Sequence, residues 1–153
     1  MLVNQLLSMK GHSGKPGVES QTIITINPDA TLAEAVALLA EKRIGAIVVS
    51  TDGKKPDGIL SERDVVRQLG EKGADVLSTP ISQVMTTNVQ TCHTSEDALT
   101  ILERMTQGRF RHLPVVDDNG DMLGVISIGD AVSGRLSELS AEKDALTGMI
   151  MGN

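Results

Sequence analysis

A seven-residue stretch of this chain occurs twice, and that repetition limits the folds available to it. The stretch 58–64 returns as 124–130, and the same offset of 66 positions aligns Arg43 with Arg109 upstream. A fixed-period repeat indicates an architecture built from copies of one unit. Two copies favour a paired arrangement over a solenoid, because a solenoid needs at least three repeats.

The first copy has alternating strand and helix patterns. β-Branched residues predict a strand at 21–26, and Thr31 followed by Glu34 predicts a capping box that opens a helix. Further strands are predicted at 45–50 and 58–60, and a helix is predicted from residue 61 to about 70. The predicted apolar face of the first of these helices comprises Leu32, Ala35, Val36, Leu39 and Ala40.

The second copy repeats this order. Residues 80–85 are predicted to form a short helix leading into a strand at 89–92, and Asn119-Gly120 predicts a tight hairpin turn. The predicted helix face comprises Ala98, Ile101, Leu102 and Met105. The fold class is therefore α+β, with two β-α-β-β-α units as a pseudo-twofold pair. The predicted divisions are 1–20 (N-terminal helix and linker), 21–73 (first unit), 74–88 (linker), 89–136 (second unit) and 137–153 (C-terminal helix extension).

Both ends of the chain have helical patterns. The spacing of Leu2, Leu6 and Met9 predicts a short amphipathic helix, followed by a glycine-rich loop at 11–17. The last helix is longer than its counterpart, with Lys143 interrupting its apolar spacing. That helix either packs on its own unit or forms a self-association surface with the N-terminal helix. Its apolar residues are Val132, Leu136, Leu139, Leu146 and Ile150.

Composition excludes several classes of function. The formal net charge of −6 argues against a general nucleic-acid-binding face, and Phe110 is the only aromatic residue. Cys92 is the single cysteine, which favours a reducing compartment. We identify no signal peptide and no run of 18 apolar residues, so a cytoplasmic location without a membrane partner is expected.

The repeated Ser-x-x-Asp element, at Ser61–Asp64 and Ser127–Asp130, has two interpretations. The structural one is a helix cap, in which serine and aspartate satisfy the helix's first N–H groups. The chemical one is a nucleoside site. A helix N-terminus suits an anion, and an aspartate in its first turn can accept hydrogen bonds from two ribose hydroxyls.

Several motifs together resemble the tandem CBS-domain proteins (cystathionine β-synthase domains), whose paired unit is called a Bateman module. These are the repeated β-α-β-β-α order, the run Ser-Glu-Arg-Asp-Val-Val-Arg at 61–67, the run Arg-Phe-Arg-His-Leu-Pro-Val-Val at 109–116, and Val-Met-Thr at 84–86. The resemblance extends from about residue 21 to about residue 134. It implies two clefts that bind adenosine-containing ligands such as AMP, ATP, NAD(H) or S-adenosylmethionine.

The same resemblance implies the residues of each cleft. One copy supplies the ribose-binding aspartate, and the other copy supplies much of the wall around the base. Arginine and histidine side chains surround only the first cleft, so phosphate binding is expected to be stronger there. The first cleft would comprise Ser61, Arg63, Asp64, Asn88, Val89, Phe110, Arg111 and His112. The second would comprise Ser127, Asp130, Ile24, Ile44, Gly45 and Ala46.

The expected function is regulatory. The chain is predicted to bind an adenine nucleotide as a regulatory ligand, to form a homodimer, and to signal to a protein partner through a conformational shift. The alternative is a ligand-independent dimerisation or interaction scaffold. We find no nucleophile–base pair, paired carboxylates or phosphate loop, and His12 and His93 have no partners at metal-ligand spacing. We therefore expect no enzymatic activity, no catalytic residues and no metal.

Overall fold

The computed structural model describes residues 1–10 and 23–150, which form two compact units. The repeat-1 unit comprises residues 23–91 and 117–122. The repeat-2 unit comprises residues 1–10, 92–116 and 123–150. The predicted loop at 11–17, with His12, and the first two residues of the predicted strand at 21–26 lie outside the described residues. The predicted domain boundaries stay a prediction.

The order of elements confirms the α+β class and repeats with the period of the sequence. Two single 3-10 turns, Ala74–Ser78 and Ile81–Gln83, lie between the repeats. The predicted short helix at 80–85 is present as the 3-10 helix Ile81–Gln83. The elements are α1 (Val3–Lys10), β1 (Thr25–Ile26), α2 (Leu32–Lys42), β2 (Ala46–Val49), β3 (Gly58–Ser61), α3 (Glu62–Lys72), α4 (Ala98–Gly108), β4 (His112–Val116), β5 (Met122–Ser127) and α5 (Ile128–Ile150).

Helix α2 begins and ends with features that its sequence encodes. Thr31 and Glu34 form the predicted reciprocal capping box. Arg43 ends the helix with φ 53°, a left-handed conformation that Arg109 repeats at the end of α4 with φ 57°. The predicted apolar face of α2 is confirmed for Leu32, Ala35 and Leu39, which are buried, and Val36 is partly buried. Ala40 is exposed, so its placement on that face was wrong.

The strand pairing differs between the repeats. β1 pairs in parallel with β2, and β2 pairs antiparallel with β3. The predicted strand at 89–92 is wrong, because only a single bridge, Cys92 with Val115, forms there. Cys92 donates to the Pro114 carbonyl, and Val116 donates to the Cys92 carbonyl. The next bond upstream would need a donor from Pro114, which has no N–H, so the ladder stops.

Helix α1 is part of the repeat-2 core. Val3 and Leu6 are buried, whereas Leu2 and Met9 are 42% and 45% exposed, so the predicted apolar face of α1 was wrong in two of its three members. The packing of α1 against α5 decides which face is buried. A Cβ atom at Gly134 of α5 would overlap the end of the Leu6 side chain, so a larger residue there would force Leu6 to shift.

The tip of the second hairpin packs against the first repeat. The Met122 N–H donates to the Lys54 carbonyl over 2.8 Å, and Lys55 Nζ donates to the Asn119 carbonyl over 2.6 Å. Gly120 has φ 83°, as the predicted turn requires. These bonds explain why residues 117–122 belong to the repeat-1 unit.

Helix α5 continues well past its counterpart α3. Ala131 and Gly134 are its buried residues, and they face the rest of the repeat-2 unit. The apolar residues of its predicted stripe are all exposed, from Val132 at 40% to Ile150 at 84%. The predicted packing of the last helix on its own unit is confirmed through Ala131 and Gly134, although the stripe lies outside that contact. The alternative of a self-association surface stays a prediction. No helix in the described residues combines the length and the apolar character that crossing a membrane requires.

Candidate functional site

The Ser61–Asp64 turn links β3 to α3 and forms the cap that its sequence predicted. The Asp64 N–H donates to Ser61 Oγ over 3.3 Å. Asp64 Oδ2 accepts from the Ser61 N–H over 2.9 Å and from Ser61 Oγ over 3.0 Å. The turn satisfies donors at the helix start and fixes the rotamer of an aspartate that is 9% exposed.

Arg67 binds the other oxygen of the same carboxylate. Its Nη2 atom donates to Asp64 Oδ1 over 2.7 Å, one helical turn along α3. The Arg67 side chain is 57% exposed, whereas that of Asp64 is 12% exposed. The arginine therefore covers the carboxylate from the solvent side. The i,i+3 spacing is the feature of the sequence that predicts this ion pair.

The start of β2 lies beside this turn. Ala46 is the ladder partner of Ser61, and the Glu62 N–H donates to the Gly45 carbonyl over 2.9 Å. Ile24 and Ile44 pack against the repeat-1 core while remaining partly exposed. The structure thus brings Ser61 and Asp64 together with Gly45 and Ala46, which the family resemblance assigned to the other cleft.

The Ser127–Asp130 turn links β5 to α5 in the same way. Asp130 Oδ2 accepts from the Ser127 N–H over 2.8 Å, and the Asp130 N–H donates to Ser127 Oγ over 3.1 Å. The Ile128 N–H donates to the Arg111 carbonyl over 2.8 Å. The backbone of Arg111 therefore lies next to this turn, as that of Gly45 lies next to the turn at Ser61.

The two turns differ in the residues around them. Beside the first turn lie two small residues, Gly45 and Ala46, and the turn itself contains the exposed Arg63. Beside the second turn lie the exposed Arg111 and the partly buried His112. Each turn thus has at least one basic residue in its own unit.

The remaining predicted residues lie on the segments flanking these turns. Thr86 and Ile59 exchange backbone hydrogen bonds of 3.0 Å, and Asn88, which is exposed, and Val89, which is partly buried, follow in the chain. Phe110 packs against the repeat-2 core, with its ring over Gly108. The grouping of Asn88 and Val89 with Phe110, Arg111 and His112 in one cleft stays a prediction.

The chemistry of these turns is that of hydrogen-bond acceptors and a helix N-terminus. Two carboxylates, each held by a serine, can accept from hydroxyl groups, and the adjacent helix starts favour anions. No group of three or more histidine, cysteine or acidic residues suited to a metal ion occurs in the part of the chain that the structure describes. Burial raises the pKa of the Cys92 thiol to about 12, so this group is a protonated core residue at neutral pH.

Comparison with known sequences identifies the repeats. The CBS domain family model matches residues 18–71 and 81–136. The CBS domain-containing protein YhcV of Bacillus subtilis is 31% identical over 119 residues, covering 78% of this chain and 83% of its own length. The chain spans 22% of the length of three Arabidopsis thaliana CBS domain-containing proteins, CBSCBSPB1, CBSCBSPB4 and CBSCBSPB5.

Comparison with solved structures agrees. The CBS-domain containing protein ATU1752 from Agrobacterium tumefaciens matches with a TM-score of 0.78 and 39% identity, covering 88% of this chain and 99% of its own. Two structures at 24% identity share the fold. The first is PAE2072 from Pyrobaculum aerophilum complexed with AMP, which covers 85% of this chain and 89% of its own with a TM-score of 0.69. The second is the CBS domain pair of MJ0100 in complex with 5-methylthioadenosine and S-adenosyl-L-methionine. It covers 94% of this chain and 98% of its own with a TM-score of 0.71.

The matched residues coincide with the two repeats on which the fold is built, and they make up most of the chain. The last helix of each α+β repeat begins with the same capped turn. The chain belongs to the CBS-domain family and carries a tandem pair of CBS domains.

Proposed function

We propose that this chain is a regulatory module that binds adenosine-containing nucleotides, of the AMP, ATP and NAD(H) class. CBS-domain pairs are generally regulatory rather than catalytic, and we propose no reaction for this chain. Relatives of the same fold are complexed with AMP or with S-adenosyl-L-methionine, which supports an adenosyl ligand. The observation that carries the proposal is the reciprocal Ser–Asp turn, which occurs at the same position of both repeats.

In this proposal Asp64 and Asp130 accept hydrogen bonds from ribose hydroxyls. A ribose at Asp64 replaces Arg67 at Oδ1, and the Arg67 guanidinium moves into solvent or onto a phosphate. The Ser61 N–H bond to Oδ2 holds the carboxylate in place during this exchange. Both partners of the lost ion pair gain new ones, so the exchange has a small net cost.

The basic residues distinguish the two ligands. Arg63, Arg111 and His112 are proposed to bind phosphate at the Asp64 ligand, leaving a less charged ligand for Asp130. A double-mutant cycle tests this assignment. Arg111→Ala should couple to Asp64→Asn, and not to Asp130→Asn, when AMP affinity is measured. Coupling to Asp130→Asn alone would reassign Arg111 to the second ligand.

The rest of the proposal concerns signalling. The ligand shifts the conformation of a cytoplasmic homodimer, and a protein partner responds to that shift.

A second candidate function is a ligand-independent interaction scaffold. One observation favours it, because Arg67 and Ser61 already satisfy both Asp64 oxygens. In that case the turns serve only as helix caps. The scaffold predicts that no adenosine compound binds saturably and that loss of either aspartate affects stability alone.

Thermal unfolding with AMP, ATP, NADH and S-adenosylmethionine separates the two functions. A ligand at a hundredfold excess over its dissociation constant stabilises the folded state by about 2.7 kcal/mol. We expect such a shift with at least one compound, reduced in Asp64→Asn or Asp130→Asn, because an amide offers one acceptor where a carboxylate offers two.

The matched control is Glu34→Gln. It removes one charge from the capping box of α2, which is outside the proposed site, so it should leave the ligand-induced shift unchanged. A wild-type protein that is free of bound nucleotide and shows no shift with any compound would establish the scaffold instead.

A further inference from the structure

Helix α3 contains a buried polar atom that forms no hydrogen bond. The Gln68 side chain is partly buried, and its oxygen Oε1 is shielded from solvent without a donor among the described residues. Native proteins contain few such groups, because a buried acceptor without a donor costs folding free energy. A donor from a bound molecule would remove this cost.

The second repeat has no side chain at the equivalent position. Gly134 of α5 corresponds to Gln68, and a side chain there would overlap Leu6 of α1. The two repeats therefore share the Ser–Asp turn and differ in the glutamine. Within the described residues the unpaired oxygen belongs to the first repeat, so a role for it would distinguish the two turns.

Gln68 lies one helical turn after Asp64 and on the same side of α3. Residues four apart on a helix have Cβ atoms about 5–6 Å apart. Side chains on a helix lean towards its N-terminus, so the Gln68 side chain extends towards the turn that contains Asp64. One small molecule can therefore contact both the Asp64 carboxylate and the Gln68 oxygen.

The two oxygens of Asp64 differ in what they can offer a ribose. Oδ2 already accepts hydrogen bonds from the N–H and the hydroxyl of Ser61. Oδ1 accepts from the exposed Arg67, which a ligand can displace. A ribose presents two neighbouring hydroxyl donors. Oδ1 can serve one of them, and Gln68 Oε1 is a buried acceptor one turn away that can serve the other.

We propose that Gln68 is a specificity-determining residue of the Asp64 site. Its Oε1 atom accepts a hydrogen bond from one ribose hydroxyl while Asp64 Oδ1 accepts from the other. The first repeat then selects a nucleotide with both hydroxyls, whereas the second repeat, with Gly134, discriminates less against a deoxyribose. This inference rests on the adenosine ligand of the proposed function and adds a residue outside the capped turn.

Calorimetric titration of the full-length chain with AMP, 2′-deoxy-AMP and 3′-deoxy-AMP tests this role. An Asp130→Asn background weakens binding at the other turn, so that the titration reports the Asp64 site. Gln68→Met keeps the length of the side chain and removes the acceptor. It should weaken AMP binding by about 2–12-fold, the range for one neutral hydrogen bond. The deoxy analogue that lacks the hydroxyl facing Gln68 should bind with unchanged affinity.

Thermal unfolding without ligand supplies a second readout. Gln68→Met exchanges an unpaired acceptor for an apolar side chain of similar length, so the melting temperature should rise. Weaker AMP binding in a more stable protein is a combination that a glutamine with a structural role alone does not produce. A lower melting temperature would overturn the proposal, because the oxygen would then already have a partner in the folded chain.

The matched control is Gln107→Met, the same substitution at an exposed glutamine of α4, which should alter neither readout. Equal loss of affinity for all three compounds in Gln68→Met would overturn the proposal, because Gln68 would then act on the shape of the site. Undiminished AMP binding would overturn it as well. Both results leave the adenosine ligand standing. A wild-type chain that binds no AMP would also overturn it, and thermal unfolding with ATP, NADH and S-adenosylmethionine would then decide the proposed function separately.

Discussion

Helices α3 and α5 occupy equivalent positions in the two repeats, yet α3 ends at Lys72 whereas α5 continues to Ile150. Both begin with a Ser-x-x-Asp turn of the same hydrogen-bond pattern. They differ further along. α3 contains Gly70, and Gly73, with φ 75°, is the residue that follows its last residue. At the two equivalent positions α5 has Leu136 and Leu139.

The two helices are alike at their starts and differ at their ends. The capped start, common to both repeats, fits a ligand site that either repeat could supply. The end differs because two glycines, which weaken a helix, are replaced by two leucines, which extend it. A third position also differs. Gln68 of α3 corresponds to Gly134 of α5, where a side chain would overlap Leu6 of α1. Gly134 thus lets α5 pack against α1, and the C-terminal half of α5 extends beyond the length of α3.

The largest expected effect comes from giving α5 the residue of α3 at the contact with α1. Gly134→Gln places a side chain where Leu6 packs, and overpacking of this kind costs about 1–3 kcal/mol. Urea unfolding of the whole chain measures it. Gly148→Gln, in the same helix but with open space around the glycine, should be neutral or stabilising. Equal losses in the two variants would contradict the role of Gly134.

The next largest effect comes from replacing Leu139 of α5 with glycine, the residue that follows the end of α3. Leu139→Gly should destabilise the exposed part of α5 by about 1 kcal/mol, because glycine disfavours a helix. Far-UV circular dichroism should show a loss of helix, and hydrogen exchange should place that loss after residue 138. Leu139→Ala removes the same side chain and keeps the helix propensity. If both variants lose helix equally, then partner contacts rather than propensity maintain the extension.

A smaller effect comes from exchanging the residues that follow the two turns. Arg67 binds Asp64, and Ser133 occupies the equivalent position beside Asp130. Arg67→Ser should cost less than about 1 kcal/mol of stability, because the arginine is more than half exposed. It should also tighten AMP binding at Asp64, since the ribose no longer displaces an ion pair. Isothermal titration calorimetry measures the affinity, and a weakening would identify Arg67 as a phosphate ligand instead.

The smallest effect concerns how the residues that cap α2 and α4 make the stability of the protein depend on pH. Thr31 caps α2, whereas Asp97 caps α4, and the Thr100 N–H lowers the pKa of Asp97 below its ordinary value of 3.8. The stabilisation from Asp97 is complete above pH 3.8 and is lost as pH falls through the lowered pKa. Asp97→Thr should therefore reduce the loss of stability as pH falls below 3.8, measured by urea unfolding. An unchanged pH dependence would show that Asp97 contributes nothing to it.

Local patterns in the sequence predicted the elements well where neighbouring residues decide them. The capping boxes at Thr31 and Ser61 and the turn at Gly120 formed as predicted, because their hydrogen bonds join residues at most three apart. The family resemblance also followed from short motifs. The predicted strand at 89–92 failed for a different reason. Its partner strand contains Pro114, and the effect of that proline depends on a pairing between distant residues.

The sequence by itself determined the two-repeat α+β architecture, the caps and the family, since these follow from periodicity and short-range spacing. Only the tertiary structure decided which face of α1 is buried, that residues 117–122 join the first repeat, and that Arg67 covers Asp64. It also decided that the apolar residues of α5 from Val132 to Ile150 are exposed. The spacing of apolar residues in a sequence is the same whether the surface that covers them belongs to the same chain or to another. Only the packing in the folded structure shows whether the rest of the chain covers them.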